Sequence, residues 1–248
     1  MTHPHRLLPD RVSLFLDVDG TLAQIRPRPE DVGPDVRRNT LLRRVARAVD
    51  GRLAILSGRT IPEVDYILDN AVRAVAGVHG LERRDTEGER RDYLITDEVR
   101  QALDQAILVL NALAEQKRGV LIEAKGKSVG VHYRLNPEAE DMVLTITQNI
   151  AQNSPLSLQR GDRVAELRAP GPDKGDALRA FMNEVPFEGR MPVFVGDDLT
   201  DEHAFRAAVE LGGFGVLVGP ERETLARYNL PNVAAVLDWL EDGVAHHA

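Results

Sequence analysis

The chain has 248 residues, with 31 Lys+Arg against 39 Asp+Glu, a net charge of -8 and no cysteine. Lack of cysteine excludes a disulfide framework, a thiolate zinc site, an iron–sulfur cluster and a cysteine nucleophile. The acidic balance disfavours nucleic acid, because no excess positive field exists to displace phosphate counterions, and the length suits either one core fold with an insertion or two successive domains.

Arg11 to Leu16 is a nearly continuous apolar run that ends in Asp17-Val18-Asp19-Gly20-Thr21, the pattern of a parallel strand buried on both faces. From Val36 to Val49, apolar Val36, Leu41, Leu42, Val45, Ala46 and Val49 fall on one side and arginines on the other, which predicts an amphipathic helix. Leu53 to Leu56 reads as a second buried strand ending in Ser57-Gly58-Arg59, and Pro62 suits the first turn of the next helix. Val72 to Val78 predicts a third strand, ending in Gly77-Val78-His79-Gly80. There the alternation breaks. Residues 83–92 are charged around Gly88 and read as an exposed turn at a domain boundary. A helix over Thr96 to Gln116, strands over Val120 to Glu123 and Val129 to Arg134, a helix over Pro137 to Gln152 and short strands near Leu156 and Val164 predict an inserted α/β unit with an open antiparallel sheet. After Pro170-Gly171-Pro172 the βα alternation resumes with a helix over Lys174 to Asn183, a strand over Pro192 to Val195, a helix over Asp201 to Glu210, a strand over Phe214 to Val218 and a last helix near Val236 to Leu240.

The fold expected is therefore α/β: a Rossmann-like parallel-sheet core over residues 1–83 and 169–248, interrupted at 84–168 by a smaller α/β insertion. No apolar run approaches the ~18 residues of a membrane span, and the N-terminus lacks the apolar centre of an export signal, so a soluble, cytoplasmic chain is expected. The final Ala245-His246-His247-Ala248 is too short for a dependable metal site and reads as a frayed end.

Ligands of open parallel sheets sit beyond the carboxyl ends of the strands. Polar clusters occupy those ends here: Asp17 to Thr21, Ser57 to Arg59, and Gly196-Asp197-Asp198-Leu199-Thr200-Asp201-Glu202. In an extended segment Asp17 and Asp19 aim at one face, and Gly20 frees the chain to turn away. Taken singly, each piece has an ordinary reading as a turn or a helix cap, with Lys174 solvated and Arg59 a surface arginine. Taken together, the carboxylates of Asp17, Asp19, Asp197 and Asp201 repel one another, and oxygen donors with no histidine or cysteine nearby favour Mg²⁺ over zinc.

Asp-x-Asp-Gly-Thr at Asp17 to Thr21, Ser57 at a strand end, Lys174 opening a helix and Gly-Asp-Asp-x-x-Asp at Gly196 to Asp201 together resemble the haloacid-dehalogenase (HAD) superfamily of aspartyl phosphotransferases. In that superfamily residues 84–168 would be the inserted cap. Gly77 to Glu82, Glu123-Ala124-Lys125 with His132-Tyr133-Arg134, Val164 to Leu167 and Asp197 to Glu202 resemble, more narrowly, the trehalose-6-phosphate phosphatases, over nearly the whole chain. The resemblance implies that Asp17 is the nucleophile, that Asp19 is the general acid and base, and that Ser57 and Lys174 hold the phosphate. It implies a Mg²⁺ held by Asp17, the main-chain carbonyl of Asp19 and Asp197, with Asp198 or Asp201 in support. The sugar would be gripped by Glu123, Lys125 and Glu166, with His79, His132 and Arg134 lining the cleft, although spacing alone favours a plain hairpin ion pair between Glu123 and Lys125. The implied partner is a small sugar phosphate, enclosed by a cap that hinges near Arg83 to Arg91 and Ala169 to Pro172. Another sugar phosphate as substrate, a phosphomutase, and a non-catalytic sugar-phosphate sensor stay open as alternatives.

Overall fold

The computed structural model describes residues 1–245. Its elements run β1 (Val12–Leu16), α1 (Val36–Ala48), β2 (Leu53–Leu56), α2 (Ile61–Leu68), β3 (Ala74–Gly77), β4 (Glu82–Arg84) and β5 (Arg90–Asp92). Next come α3 (Asp97–Gln116), β6 (Leu121–Ala124), β7 (Ser128–His132), α4 (Glu140–Gln152), β8 (Ser157–Gly161) and β9 (Val164–Arg168). These are followed by α5 (Lys174–Met182), β10 (Met191–Gly196), α6 (Glu202–Glu210), β11 (Phe214–Val218), β12 (Tyr228–Leu230) and α7 (Val233–Val244). His246 and His247 lie outside the described residues.

One compact unit comprises Met1–Asp92 and the described residues from Pro172 onward; the other is Tyr93–Gly171. The first is an eight-stranded sheet in the order β12-β11-β10-β1-β2-β3-β4-β5, parallel from β12 to β3 and antiparallel at the β3–β4 and β4–β5 pairs. Side chains alternate across a strand. Leu14 and Leu16 accordingly enter one apolar layer with Leu42, Val45, Ile67 and Leu240, from α1, α2 and α7, while Phe15 enters the other with Leu178, Phe181 and Phe205, from α5 and α6. Helices on both faces explain the unbroken apolar runs of β1, β2 and β10. Helix starts are marked by side chains that take up free N–H groups: Asp35 caps α1, Thr60 with Glu63 forms a capping box on α2, and Asp173 with Asp176 does so on α5.

The charged stretch after β3 differs from expectation. It forms the β4–β5 hairpin at the sheet edge, so the inserted unit starts at Tyr93 and the hinge expected over Arg83 to Arg91 falls inside the core sheet. Its charges are paired: Arg83 makes two 2.6 Å bonds to Glu184, and Arg84 makes two 2.7 Å bonds to Asp65. Exposed Arg90, Arg91 and Asp92 leave a charged outer strand, which discourages further pairing.

The second unit is a four-stranded antiparallel sheet, order β6-β7-β9-β8, on which α3 and α4 pack. Among the described residues no helix is long and apolar enough to cross a membrane.

Phe15 sits at the centre of the first unit, its ring stacked 5.5 Å from that of Phe187 and tilted 6.3 Å from that of Phe181. Phe15→Ala is expected to lower stability by about 3–5 kcal/mol, while exposed Val36→Ala changes it by less than about 0.5 kcal/mol. Urea unfolding of the two variants beside the parent checks this, and equal midpoints would contradict it.

Candidate active site

β1 is flanked by β10 and β2, so the residues that follow these three strands come together at one edge of the sheet. Asp17 is held there by its own N–H, which donates to Val195 O at 3.0 Å, and Ser57 by an N–H donating to Ala76 O at 2.9 Å. Gly20 has φ +76°, and a methyl group at its α-carbon would fall 2.0 Å from Asp197 Oδ2. Only glycine allows the Asp17–Asp19 loop to lie this close to the loop after β10.

Lys174 joins these pieces. Its ammonium donates to Asp17 Oδ1 at 2.8 Å and to Asp201 Oδ1 at 2.6 Å, with its side chain 3% exposed. Burial opposes the charge on Lys174, but the two carboxylates and their hydrogen bonds outweigh it and hold the lysine well above its usual range. Asp201 is fully buried; its other oxygen, Oδ2, accepts the N–H groups of Asp197 at 2.9 Å and Asp198 at 3.0 Å. Both Asp201 oxygens are therefore engaged in holding Lys174 and the loop after β10. Arg222 adds to that loop, donating to Asp198 O at 2.8 Å and pairing with Glu202.

Burial pushes the carboxyl of Asp17 up to about 8, with the charges of Asp201 and Asp19 adding to it and Lys174 opposing. Asp197 is pushed up to about 9, by burial first and then by Asp17, Asp201 and Asp198. Carboxylate oxygens of Asp17, Asp197 and Asp201 lie within 4.8 Å of one another. Asp197 Oδ1 is buried with no hydrogen-bond partner. An unsatisfied buried oxygen beside a second carboxylate, in an all-oxygen cluster of excess negative charge, fits a hard divalent cation.

Asp19 and Arg59 form a pair that the sequence reading did not anticipate. Expected at the surface, Arg59 is 7% exposed and clamps Asp19 with a two-pronged contact, Nε to Oδ2 at 2.7 Å and Nη2 to Oδ1 at 2.8 Å, while its guanidinium also donates to Pro29 O at 3.1 Å. The available signal was the arginine's place in the segment directly after β2. Ser57, 1% exposed, accepts the Arg59 N–H at 3.2 Å, which leaves its hydroxyl hydrogen for another acceptor. His79 is buried in the turn after β3.

A second polar cluster is built on the sheet of the inserted unit. Glu123 on β6 and Glu166 on β9 are both in register with Gly130 on β7, so the two carboxylates lie on one face, separated by a residue without a side chain. Lys125 Nζ lies 3.1 Å from Glu123 Oε2 and 3.6 Å from Glu166 Oε2, and His132 Nε2 is 2.8 Å from Glu123 Oε2. The expected hairpin pair is thus part of a four-residue cluster. Burial raises the Glu123 carboxyl, but the His132 hydrogen bond and the Lys125 charge outweigh it and bring it down to about 2. Arg134 instead bonds the Asp162 carbonyl at 2.7 Å and its carboxylate at 3.0 Å.

A sequence profile described as trehalose-phosphatase matches residues 15–233. The chain is 41% identical to trehalose-6-phosphate phosphatase of Escherichia coli (strain K12), over 97% of this chain and 91% of that one. In fold it is similar to the C-terminal domain of C. albicans trehalose-6-phosphate phosphatase, with TM-score 0.84 and 21% identity over 95% and 92% of the chains. It is also similar to a phosphatase of the haloalkanoate (HAD) enzyme superfamily from Bacteroides thetaiotaomicron, with TM-score 0.63 and 18% identity over 95% and 96% of the chains.

Removing the buried ammonium leaves two carboxylates facing each other, so Lys174→Met is expected to cost about 3–5 kcal/mol. A loss below about 1 kcal/mol in urea unfolding would show that the pairing is energetically idle. Glu123 is ionised more readily folded than at its ordinary value of 4.5, so its contribution is complete above that value and is lost as pH falls from there toward about 2. Glu123→Gln should therefore flatten the decline of stability across this acid range, measured as thermal midpoint against pH.

Proposed function

The chain belongs to the trehalose-phosphatase family, enzymes of the HAD superfamily, and from that premise we propose that it is a cytoplasmic, Mg²⁺-dependent hydrolase that converts trehalose 6-phosphate and water to trehalose and phosphate through an aspartyl-phosphate. The observation that carries this reading is the buried Asp17–Lys174–Asp201 constellation beside Asp197 at the strand ends.

In this reading Asp17, Asp197 and the main-chain carbonyl of Asp19 hold Mg²⁺, which when bound lets a phosphate dianion approach a carboxylate that would otherwise repel it and stabilises the charge that develops. Lys174 restrains the rotation of the Asp17 carboxylate through Oδ1 and adds a fixed positive charge. One oxygen of Asp17 bonds to phosphorus as the bond from phosphorus to the sugar oxygen breaks, and Asp19 gives its proton to that departing oxygen. Asp19 then takes a proton from water, whose oxygen attacks phosphorus, releases inorganic phosphate and restores Asp17. Arg59 grips both Asp19 oxygens, so delivering the proton requires Asp19 to leave at least one of those bonds. Ser57 donates its hydroxyl to a phosphoryl oxygen. Asp201, with both oxygens engaged, supports Lys174 and the loop carrying Asp197 and Asp198.

A disaccharide presents hydroxyls that both donate and accept. Glu123, Lys125, Glu166 and His132 offer matching acceptors and donors already arranged on one sheet face, and we assign them to the sugar. Losing partners built for a hydroxyl leaves polar groups unpaired, which is a strong basis for selectivity.

Phosphate release from trehalose 6-phosphate should vanish in EDTA and return with Mg²⁺, and Asp17→Asn should lower kcat by about 10⁴-fold or more. Full activity in either case would sink the mechanism. Glu123→Ala and Lys125→Ala should reduce kcat/KM for trehalose 6-phosphate by about 10- to 100-fold while changing that for p-nitrophenyl phosphate less than about threefold. Equal losses on both esters would remove the sugar-binding role.

A further inference from the structure

β3 ends at Gly77, and the next three residues are all left-handed: Val78 at φ 45°, His79 at φ 55° and Gly80 at φ 107°. Glycine tolerates this region, but a β-branched residue there is an outlier. Such strain persists only where the surroundings impose it, and it gathers at functional sites. Here the surroundings are the two segments assigned above to the phosphate.

On one side the turn is tied to the loop after β2. Val78 N–H donates to Arg59 O at 2.8 Å, and His79 N–H donates to Ser57 O at 2.9 Å. The imidazole of His79, 7% exposed, crowds the middle residue of that loop with its Nε2–Cε1 side: a methyl group on Gly58 would sit 2.6 Å from His79 Nε2 and 2.7 Å from its Cε1. On the other side, a methyl group on Gly80 would sit 2.5 Å from the carbonyl oxygen of Asp173, the residue that caps α5 just before Lys174. The turn is therefore wedged between Ser57-Gly58-Arg59 and the start of the helix that carries Lys174.

We infer that His79 is a positioning residue, whose ring is a fixed prop that sets the Ser57–Arg59 loop against the phosphate, rather than a contact to the sugar. This rests on the reading that Ser57 and Asp19 act on the phosphate. Arg59 extends the effect, because its backbone is held by the strained turn while its guanidinium clamps Asp19. A displacement of the ring would move the Ser57 hydroxyl and the Asp19 clamp together, whatever group the phosphate is attached to.

The contact can be read as a double-mutant cycle, since the three atoms nearest a methyl group on Gly58 all belong to the His79 ring. Gly58→Ala presses on the ring, and His79→Ala removes the object pressed upon. Each single variant is expected to lower kcat by about 10- to 100-fold on trehalose 6-phosphate and on sugar-free p-nitrophenyl phosphate alike, with KM for the sugar phosphate changed less than about threefold. The double variant should lose no more than the worse single one. Losses that multiply, or a His79→Ala loss confined to the sugar phosphate, would overturn the inference. Should His79→Ala fold poorly by circular dichroism, His79→Asn replaces it, because asparagine tolerates the left-handed backbone while lacking the ring. Full activity in His79→Asn would likewise overturn the inference. Orthovanadate binding, followed by thermal shift, reads the same cycle without turnover. A parent protein that hydrolyses neither ester would therefore refute the phosphatase reading, and additive vanadate effects would separately refute the prop.

Discussion

The placement of one ammonium group underlies the carboxylate cluster at the sheet edge. Lys174 is the first residue of α5, where a cation opposes the helix dipole, and it is buried, where a cation is costly. Both penalties are offset by carboxylates at 2.6 and 2.8 Å, one following β1 and the other following β10. The result is a strut connecting three chain segments that sequence separates widely. Three carboxylates and one ammonium still leave a surplus of negative charge, and burial drives Asp17 and Asp197 to hold protons unless a cation takes their place. Structure and chemistry thus run together: the contacts that orient Asp17 crowd the carboxylates, and that crowding gives the cluster a surplus of negative charge that suits a cation.

The inserted unit solves a milder version of this problem. Its antiparallel sheet buries Val129, Val131, Ala165 and Leu167, while the alternate residues place Glu123, Glu166 and His132 on the opposite face. Gly130 keeps the middle of that face low, so that Lys125 lies within reach of both glutamates. Its charges are balanced closely enough for Glu123 to stay ionised, the reverse of the situation at Asp17.

Much of this was readable in the sequence wherever one physical rule governed a run of neighbours. Burial on both faces gives β1, β2 and β10 an unbroken apolar signature, and the polar residues that terminate them mark the sheet edge where a ligand would sit. The HAD-type α/β fold followed from residues at those ends together with Lys174, and the narrower family from Gly77 to Glu82, Asp197 to Glu202 and the inserted stretches Glu123 to Lys125, His132 to Arg134 and Val164 to Leu167. Features set by distant partners were less legible. Residues 83–92 look like a solvated turn until Arg83 is seen to pair with Glu184, about a hundred positions away, and Arg84 with Asp65. Arg59 resembles any surface arginine until Asp19 and Pro29 enclose it. β12, of three residues, is too short to show a period. The pairing of Glu123 with Lys125 is visible at its spacing, but the addition of Glu166 depends on strand register across Gly130.

The strand order also has a consequence for how the chain is made. β1 occupies the middle of the sheet, yet its neighbour β10 is encoded beyond the whole of Tyr93–Gly171. During synthesis from the N-terminus, β1 has β2 available early but waits for its second partner until Met191 to Gly196 has been translated, after every strand of the inserted sheet. The strand that leads into Asp17 is thus among the first parts synthesised and among the last to be completed, so the strands of the inserted sheet exist before the Asp17–Lys174–Asp201 cluster can form.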